Sequence, residues 1–225
     1  MLVLLLAFAC IWGVSLSEDL RITNANDFIQ FSQSVNTGTN YSGTTVFLEN
    51  DIDFNGLSEQ FNPIFEFLGT LNGQGYRISN LIINSSEQSV GIFGYSYGMT
   101  LENVIIDDSC SVTSTHSSPR EDGFLSTLGS CYAGYGQCLI NNIVNMGSVT
   151  FSGNATNNLF IGGILESLTA GEYEGAIKNC VNYGTISFIG SCTPNTEIGG
   201  IVASTYGRLY NCTVSNCIKL WLDYP

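Results

Sequence analysis

The sequence predicts an all-β fold, a right-handed parallel β-helix (solenoid) of about five rungs with a short N-terminal capping helix, on three observations. First, five phrases align without a gap: Ile78-Ser79-Asn80-Leu81-Ile82-Ile83, Leu101-Glu102-Asn103-Val104-Ile105-Ile106, Ile140-Asn141-Asn142-Ile143-Val144-Asn145, Ile177-Lys178-Asn179-Cys180-Val181-Asn182 and Leu209-Tyr210-Asn211-Cys212-Thr213-Val214. In each, an aliphatic residue stands two places before an asparagine and β-formers follow. Second, Cys110-Ser111-Val112, Val149-Thr150-Phe151, Ile186-Ser187-Phe188 and Ile218-Lys219-Leu220 fall at one offset after that asparagine, alternating apolar and polar with the period of two that turns one face inward. Third, a glycine-led strand comes before it in Gly91-Ile92-Phe93, Gly123-Phe124-Leu125, Gly163-Ile164-Leu165 and Gly200-Ile201-Val202. A short strand that cannot bury its face alone is stabilised by like neighbours above and below. Each rung therefore reads as about three short strands with corners between them.

Spacing separates this reading from a leucine-rich repeat. Successive asparagines lie 23, 39, 37 and 32 residues apart, whereas leucine-rich repeats hold a period of about 20–29 residues. Strands that keep register while one loop varies fit a stack whose insertions leave at one corner. Asn80, Asn103, Asn142, Asn179 and Asn211 are then expected to form a structural ladder, with buried amides hydrogen-bonding from rung to rung while the backbone turns.

From the start of the chain, Met1 to Ser17 are apolar and uncharged, ending in Ser15-Leu16-Ser17 before Glu18-Asp19. This reads as a signal peptide, residues 1–17, cleaved after Ser17. A retained membrane anchor is the other reading, but the run is short for spanning. Within a cap region, residues 18–45, Thr23 or Asn24 can cap a helix whose first turn carries Asp27 and whose Phe28, Phe31 and Val35 share a face. Such a helix would cover the exposed first rung and block end-to-end pairing. The β-helix would occupy residues 46–225. The chain ends inside the fifth rung, so that end is expected to be truncated.

Hydrophobic content of 44% and charged content of 11% exclude bulk disorder. Six basic against 19 acidic residues give a net charge of −13, which repels nucleic acid and anionic lipid and excludes both as partners. With Cys10 removed in the leader, seven of the eight cysteines remain, in a compartment where disulfides form. Cys180 and Cys212 follow the ladder asparagine on successive rungs, about 4.8 Å apart, within disulfide reach. Cys131 and Cys138 bracket a glycine-rich loop and can staple it. Cys110, Cys192 and Cys217 have no assigned partner. Asn40, Asn84, Asn154 and Asn211 head N-glycosylation sequons. The first three fall in expected turns or loops and are the predicted glycan sites. Asn211, as a ladder member, is expected to stay bare.

Two stretches carry a resemblance. The run through Asn36 to Gly43, Asp51-Ile52-Asp53, Pro63-Ile64, Gly69-Thr70-Leu71-Asn72-Gly73-Gln74-Gly75-Tyr76-Arg77-Ile78 and Val90-Gly91-Ile92-Phe93-Gly94 resembles the opening of right-handed β-helix segments in large bacterial and protist surface proteins. The Gly-Gly-Ile and Asn-Cys-Val-Asn-Tyr-Gly phrases near residues 162–184 and 199–212 resemble their GLUG-type repeats. The resemblance implies an adhesin or display stalk. This chain carries no catalytic domain or sorting signal of the kind some of those proteins have.

An enzyme is the competing class, since secreted β-helices include polysaccharide lyases and hydrolases. Those need paired carboxylates or an acidic calcium cluster with a base. Asp107-Asp108 is the one adjacent acidic pair on the rungs, at a strand end where carboxylates are usually just solvated, and Asp51 and Asp53 share a strand face in the family's structural opening. His116 lies in a polar, proline-containing loop and is read as a loop residue. No zinc or calcium motif appears, so neither cofactor nor metal is expected. The remaining candidates are Tyr95, Tyr97, Tyr132, Tyr135, Tyr173 and Tyr206 in the corners after the glycine strands. Tyr132 and Tyr135, between the two cysteines, are the leading candidate ligand contacts. The sequence thus reads as a secreted or cell-surface scaffold for adhesion or display, non-catalytic and not integral to a membrane after cleavage, meeting an extracellular glycan or protein surface.

Overall fold

The computed structural model describes residues 19–58, 60–117, 123–189, 191–192, 196–206, 212–215 and 218–219. Within them the chain is mostly β, with one helix, and every strand pairing is parallel. A seven-stranded sheet runs through Leu20–Ile22, Thr45–Leu48, Thr70–Asn72, Thr100–Glu102, Cys138–Asn141, Gly175–Lys178 and Cys212–Ser215. From Thr70 onward the chain visits in turn this sheet, a six-stranded sheet and three four-stranded sheets, with the paired short strands Asn154–Ala155 and Ser191–Cys192 added on the later coils before the second four-stranded sheet. It then returns to the first, one strand further along. Each coil therefore holds about five short strands, more than the three read from the sequence, and the glycine-led strand is corrected: at Gly91, Gly163 and Gly200 the glycine phrase is the bend between two strands, and only Gly123–Leu125 is itself a strand.

Burial follows the register. Val46, Leu71, Leu101, Ile140 and Ile177 stand one above another in the first sheet and are all buried. Ile83, Val112, Val149 and Ile186 form the matching column of the third sheet. Phe151 and Phe188, also adjacent in register, stack at 5.5 Å with 11° between their planes. Period-two alternation is the cause: the side chains between these residues face out.

In the second sheet the inward column changes character. Ile52, Ile78 and Ile106 give way to Asn145 and Asn182, both buried. Asn145 Nδ2 donates to Asn182 Oδ1 at 3.0 Å and to the Gly163 carbonyl at 3.0 Å, and Asn182 Nδ2 donates to the Gly200 carbonyl at 2.6 Å. Each Oδ1 accepts the backbone N–H two residues on, Gly147 at 3.1 Å and Gly184 at 2.8 Å. The Asn-x-Gly and Gly-Gly-Ile phrases are thus two halves of one buried network, in which the polar groups find the partners that burial demands.

The expected ladder is corrected in three respects. Leu101, Ile140 and Ile177 are in register, but Ile78 pairs with Ile106, one sheet further round, and Ile177 pairs with Val214, not with Leu209. Asn80 therefore sits at a different corner, and Asn211 lies outside the described residues. Second, Asn142 and Asn179 are exposed and Asn103 half-buried, so this ladder runs along an outer corner. Its amides still bridge coils: Asn142 Nδ2 donates to Asn103 Oδ1 at 2.8 Å, Asn103 Nδ2 to Asn72 Oδ1 at 3.2 Å and Asn179 Nδ2 to Asn141 Oδ1 at 2.9 Å. Third, the residue recurs for its backbone: Asn80, Asn103, Asn142 and Asn179 all hold φ between +55° and +58°, the left-handed region that asparagine tolerates best after glycine.

The helix spans Ala25–Asn36. Asn24 is its cap, accepting the Asp27 N–H at 3.1 Å, and Asp27 reaches back to accept the Thr23 N–H and hydroxyl at 2.9 and 2.6 Å. Phe28 packs on Phe54 and Phe61, and Phe31 on Phe67 and Tyr41, with ring centroids 5.2–5.9 Å apart. One boundary moves. Leu20–Ile22 already pairs with Val46–Leu48, so the first sheet begins before the helix and not at residue 46.

Candidate functional site

Asp51, Asp53, Asp107 and His116, the side chains weighed as catalytic candidates, each have hydrogen-bonding neighbours. Asp107 is held by Arg77 Nη1 at 2.6 Å and by the Ser109 hydroxyl at 2.8 Å, and these donors keep its carboxyl well below the usual range. Asp51 accepts the Arg77 N–H of the next coil, and Asp53 accepts the Asn55 N–H two residues on and Asn80 Nδ2, so Asp51 ties two coils together and Asp53 caps a turn. His116 is 3% exposed, its Nδ1 3.3 Å from the Ser86 carbonyl. Among the described residues no three or more His, Cys, Asp or Glu side chains cluster as a metal site.

The cysteines separate into two cases. Cys131 and Cys138 form a disulfide with Cα atoms 6.0 Å apart, closing the loop that carries Tyr132 and Tyr135. Cys180 and Cys212 are not neighbours: Cys212 pairs with Gly175, because the fifth phrase slipped by five residues when aligned on its asparagine. The Cys180 thiol, buried, instead donates to the Lys178 carbonyl at 3.1 Å. Cys110 is also buried, which pushes its thiol up to about 11. The sequon residues Asn40, Asn84 and Asn154 are all exposed, but Asn84 lies within the strand Ile82–Ser85 and not in a turn, and Asn154 opens the short strand Asn154–Ala155.

What the structure assembles is an aromatic corner. Tyr95 and Tyr97, around the strand Tyr95–Ser96, follow Phe65 by one coil. Tyr132, in Gly129–Ala133, and Tyr135 follow on the next. Phe65 meets Tyr95 at 5.5 Å, Tyr95 meets Tyr97 at 5.6 Å, and Tyr97 meets Tyr132 at 6.0 Å and Tyr135 at 5.4 Å. These are edge-to-face and tilted pairs, which fix ring orientation and leave faces open. Tyr95 is 38%, Tyr132 42% and Tyr135 74% exposed, with Tyr173 exposed beside them. The Tyr206 side chain lies outside the described residues.

Glycines make room for this cluster. A Cβ on Gly94 would strike the Phe65 ring, and one on Gly134 or Gly171 would press on either edge of Tyr132. Gly98 and Gly136 approach so closely that a side chain on Gly98 would meet the backbone of the Tyr135 loop. Phe65 escaped the sequence reading, since it lies in an irregular segment outside every repeat. The signal that could have found it is Gly94, an unpatterned glycine one coil away.

Comparisons with known proteins give three findings. No protein-family profile matches the chain. An alignment 83 positions long, covering 33% of this chain, is 39% identical to halomucin of Haloquadratum walsbyi and spans about 1% of halomucin's length. A crystal structure from Bacteroides ovatus, described as a candidate immunoglobulin A1 protease, is similar over 90% of this chain and 75% of its own, at 18% identity and a TM-score of 0.49.

Proposed function

We propose that the chain is a right-handed parallel β-helix with GLUG-type repeats, secreted or displayed at the cell surface, and that it serves as a non-catalytic scaffold in adhesion or display. The observation that carries this is the register: five sheets visited in the same order, all parallel, with one inward column of side chains per sheet. Residues 1–17 act as the leader on this reading, and the exposed Asn40, Asn84 and Asn154 are the glycan acceptors. The similarity of part of the chain to halomucin supports an extracellular location. Asp51, Asp53 and Asp107, each engaged by hydrogen-bond donors of the fold, favour a scaffold over a hydrolase.

A second reading is favoured by the exposure of Tyr132 and Tyr135: the scaffold is also a glycan-binding module, with these two rings as its contacts. Both are tested on the protein recovered from the medium and surface of expressing cells. The expected outcomes are an N-terminus at Glu18 and glycan binding that a Tyr132→Ala/Tyr135→Ala double variant loses. An intact Met1 terminus on a membrane-embedded product would contradict the first. Undiminished binding by the double variant would contradict the second.

A further inference from the structure

We propose that the aromatic corner binds an uncharged glycan chain laid along the stacking direction, across three successive coils. This rests on the glycan-binding reading at Tyr132 and Tyr135, and adds the charge class of the ligand, its direction, and Phe65, Tyr95 and Tyr97 as further contacts.

Direction follows from register. Ser130 stands beside Tyr95 and Thr169 beside Tyr132, so these outward positions advance by one strand spacing of about 4.8 Å per coil. The rings follow that advance, from Phe65 through Tyr95 and Tyr97 to Tyr132 and Tyr135, in an unbroken series of contacts with centroids 5.4–6.0 Å apart. A line of rings crossing coils suits a chain of sugar units that turn C–H faces to the aromatic faces. It does not enclose a point ligand, as a cage for a single cation would. The half-buried Thr169 and the exposed Gln137 flank the rings and match a hydroxyl-rich ligand.

Charge class follows from what surrounds the rings. Residues 95–98, 129–138 and 165–174 contain no Lys, Arg or His. Tyr95 Oη donates to Glu66 Oε1 at 3.4 Å, and exposed Glu172 and Glu174 flank Tyr173. A uronate or sialylated chain would find no counter-charge here and would be repelled by these carboxylates and by the net charge of −13. A neutral chain incurs no such penalty.

The test is calorimetric titration of the whole secreted protein with neutral oligosaccharides of two to six units (gluco-, manno-, xylo- and N-acetylchito- series), with oligogalacturonides of the same lengths, and with choline. Affinity is expected to rise with length in at least one neutral series. Tyr95→Ala and Tyr135→Ala, on different coils, are each expected to weaken the hexasaccharide about tenfold or more. If Tyr95→Ala melts early, Tyr95→Leu, which keeps packing on Phe65 and removes the ring face, decides. Tighter binding of oligogalacturonides, or of choline alone, overturns the charge class. Binding that needs Tyr135 but ignores Tyr95 and length overturns the strip while sparing the Tyr132/Tyr135 reading. No glycan bound at any length sinks both.

Discussion

Asparagine does two jobs in this protein, told apart by backbone and burial. At the outer corner, Asn103, Asn142 and Asn179 hold left-handed φ values that a β-branched residue would resist. Asn142→Val is expected to cost about 1–2 kcal/mol in chemical denaturation, and Asn142→Gly far less. At the inner corner, Asn182 satisfies the Gly184 N–H, the Gly200 carbonyl and Asn145. Replacing it with leucine would orphan these groups at about 1–3 kcal/mol each, so Asn182→Leu should destabilise more than any outer-corner change, measured the same way. Glu166 is the third polar residue of note. It is the extra residue where the pairing of Gly129–Ala133 with Leu165–Ala170 shifts, it is 1% exposed, and its Oε2 has no hydrogen-bond partner. Burial pushes its carboxyl up to about 8, and the Ser130 and Ser167 hydroxyls lower it only in part. The folded state keeps a proton that the unfolded chain releases near 4.5, so this group's contribution to stability falls as pH rises from about 4.5 to about 8 and is flat above. Melting curves across that window should show the wild type losing stability relative to Glu166→Gln. Parallel curves would refute the assignment.

The helix is the element most legible in the sequence, because its start and its face are written locally: Asn24 and Asp27 mark the cap, and Phe28, Phe31 and Val35 mark the buried side. Phe28 anchors it against Phe54 and Phe61, so Phe28→Ala should cost about 3–5 kcal/mol and expose the first coil, read as a drop in denaturation midpoint. The strands were legible as a set and less so one by one. Period two identified the inward residues, yet Ile78-Ser79-Asn80 and Leu209-Tyr210-Asn211 mimic the ladder phrase while pairing elsewhere or falling five residues early. A slip between copies of a short apolar pattern has no local signature, and only the neighbouring coil decides it. The Cys180–Cys212 pairing inherited that slip. The Cys131–Cys138 staple, argued within one loop, did not depend on it.

At the scale of the molecule, one side carries the consequences. Parallel stacking repeats each corner at a fixed spacing, so aromatic residues placed after the same strand on successive coils come together without a dedicated fold for the site. Tyr132 and Tyr135 stood out from the chain because two cysteines framed them. Their continuation through Tyr97 and Tyr95 to Phe65 belongs to the stacking and is visible only in three dimensions. The stretches that carry them hold no Lys, Arg or His, and Asp51, Asp53 and Asp107 are each engaged by hydrogen-bond donors of the fold. The most direct test of this account is to hold the protein on an array of glycans and matrix proteins and read bound protein and released reducing sugar in the same wells. Saturable binding without release is the predicted result. Release of reducing sugar that disappears with one strand-borne acid, Asp107 or Asp108 first among them, would contradict it.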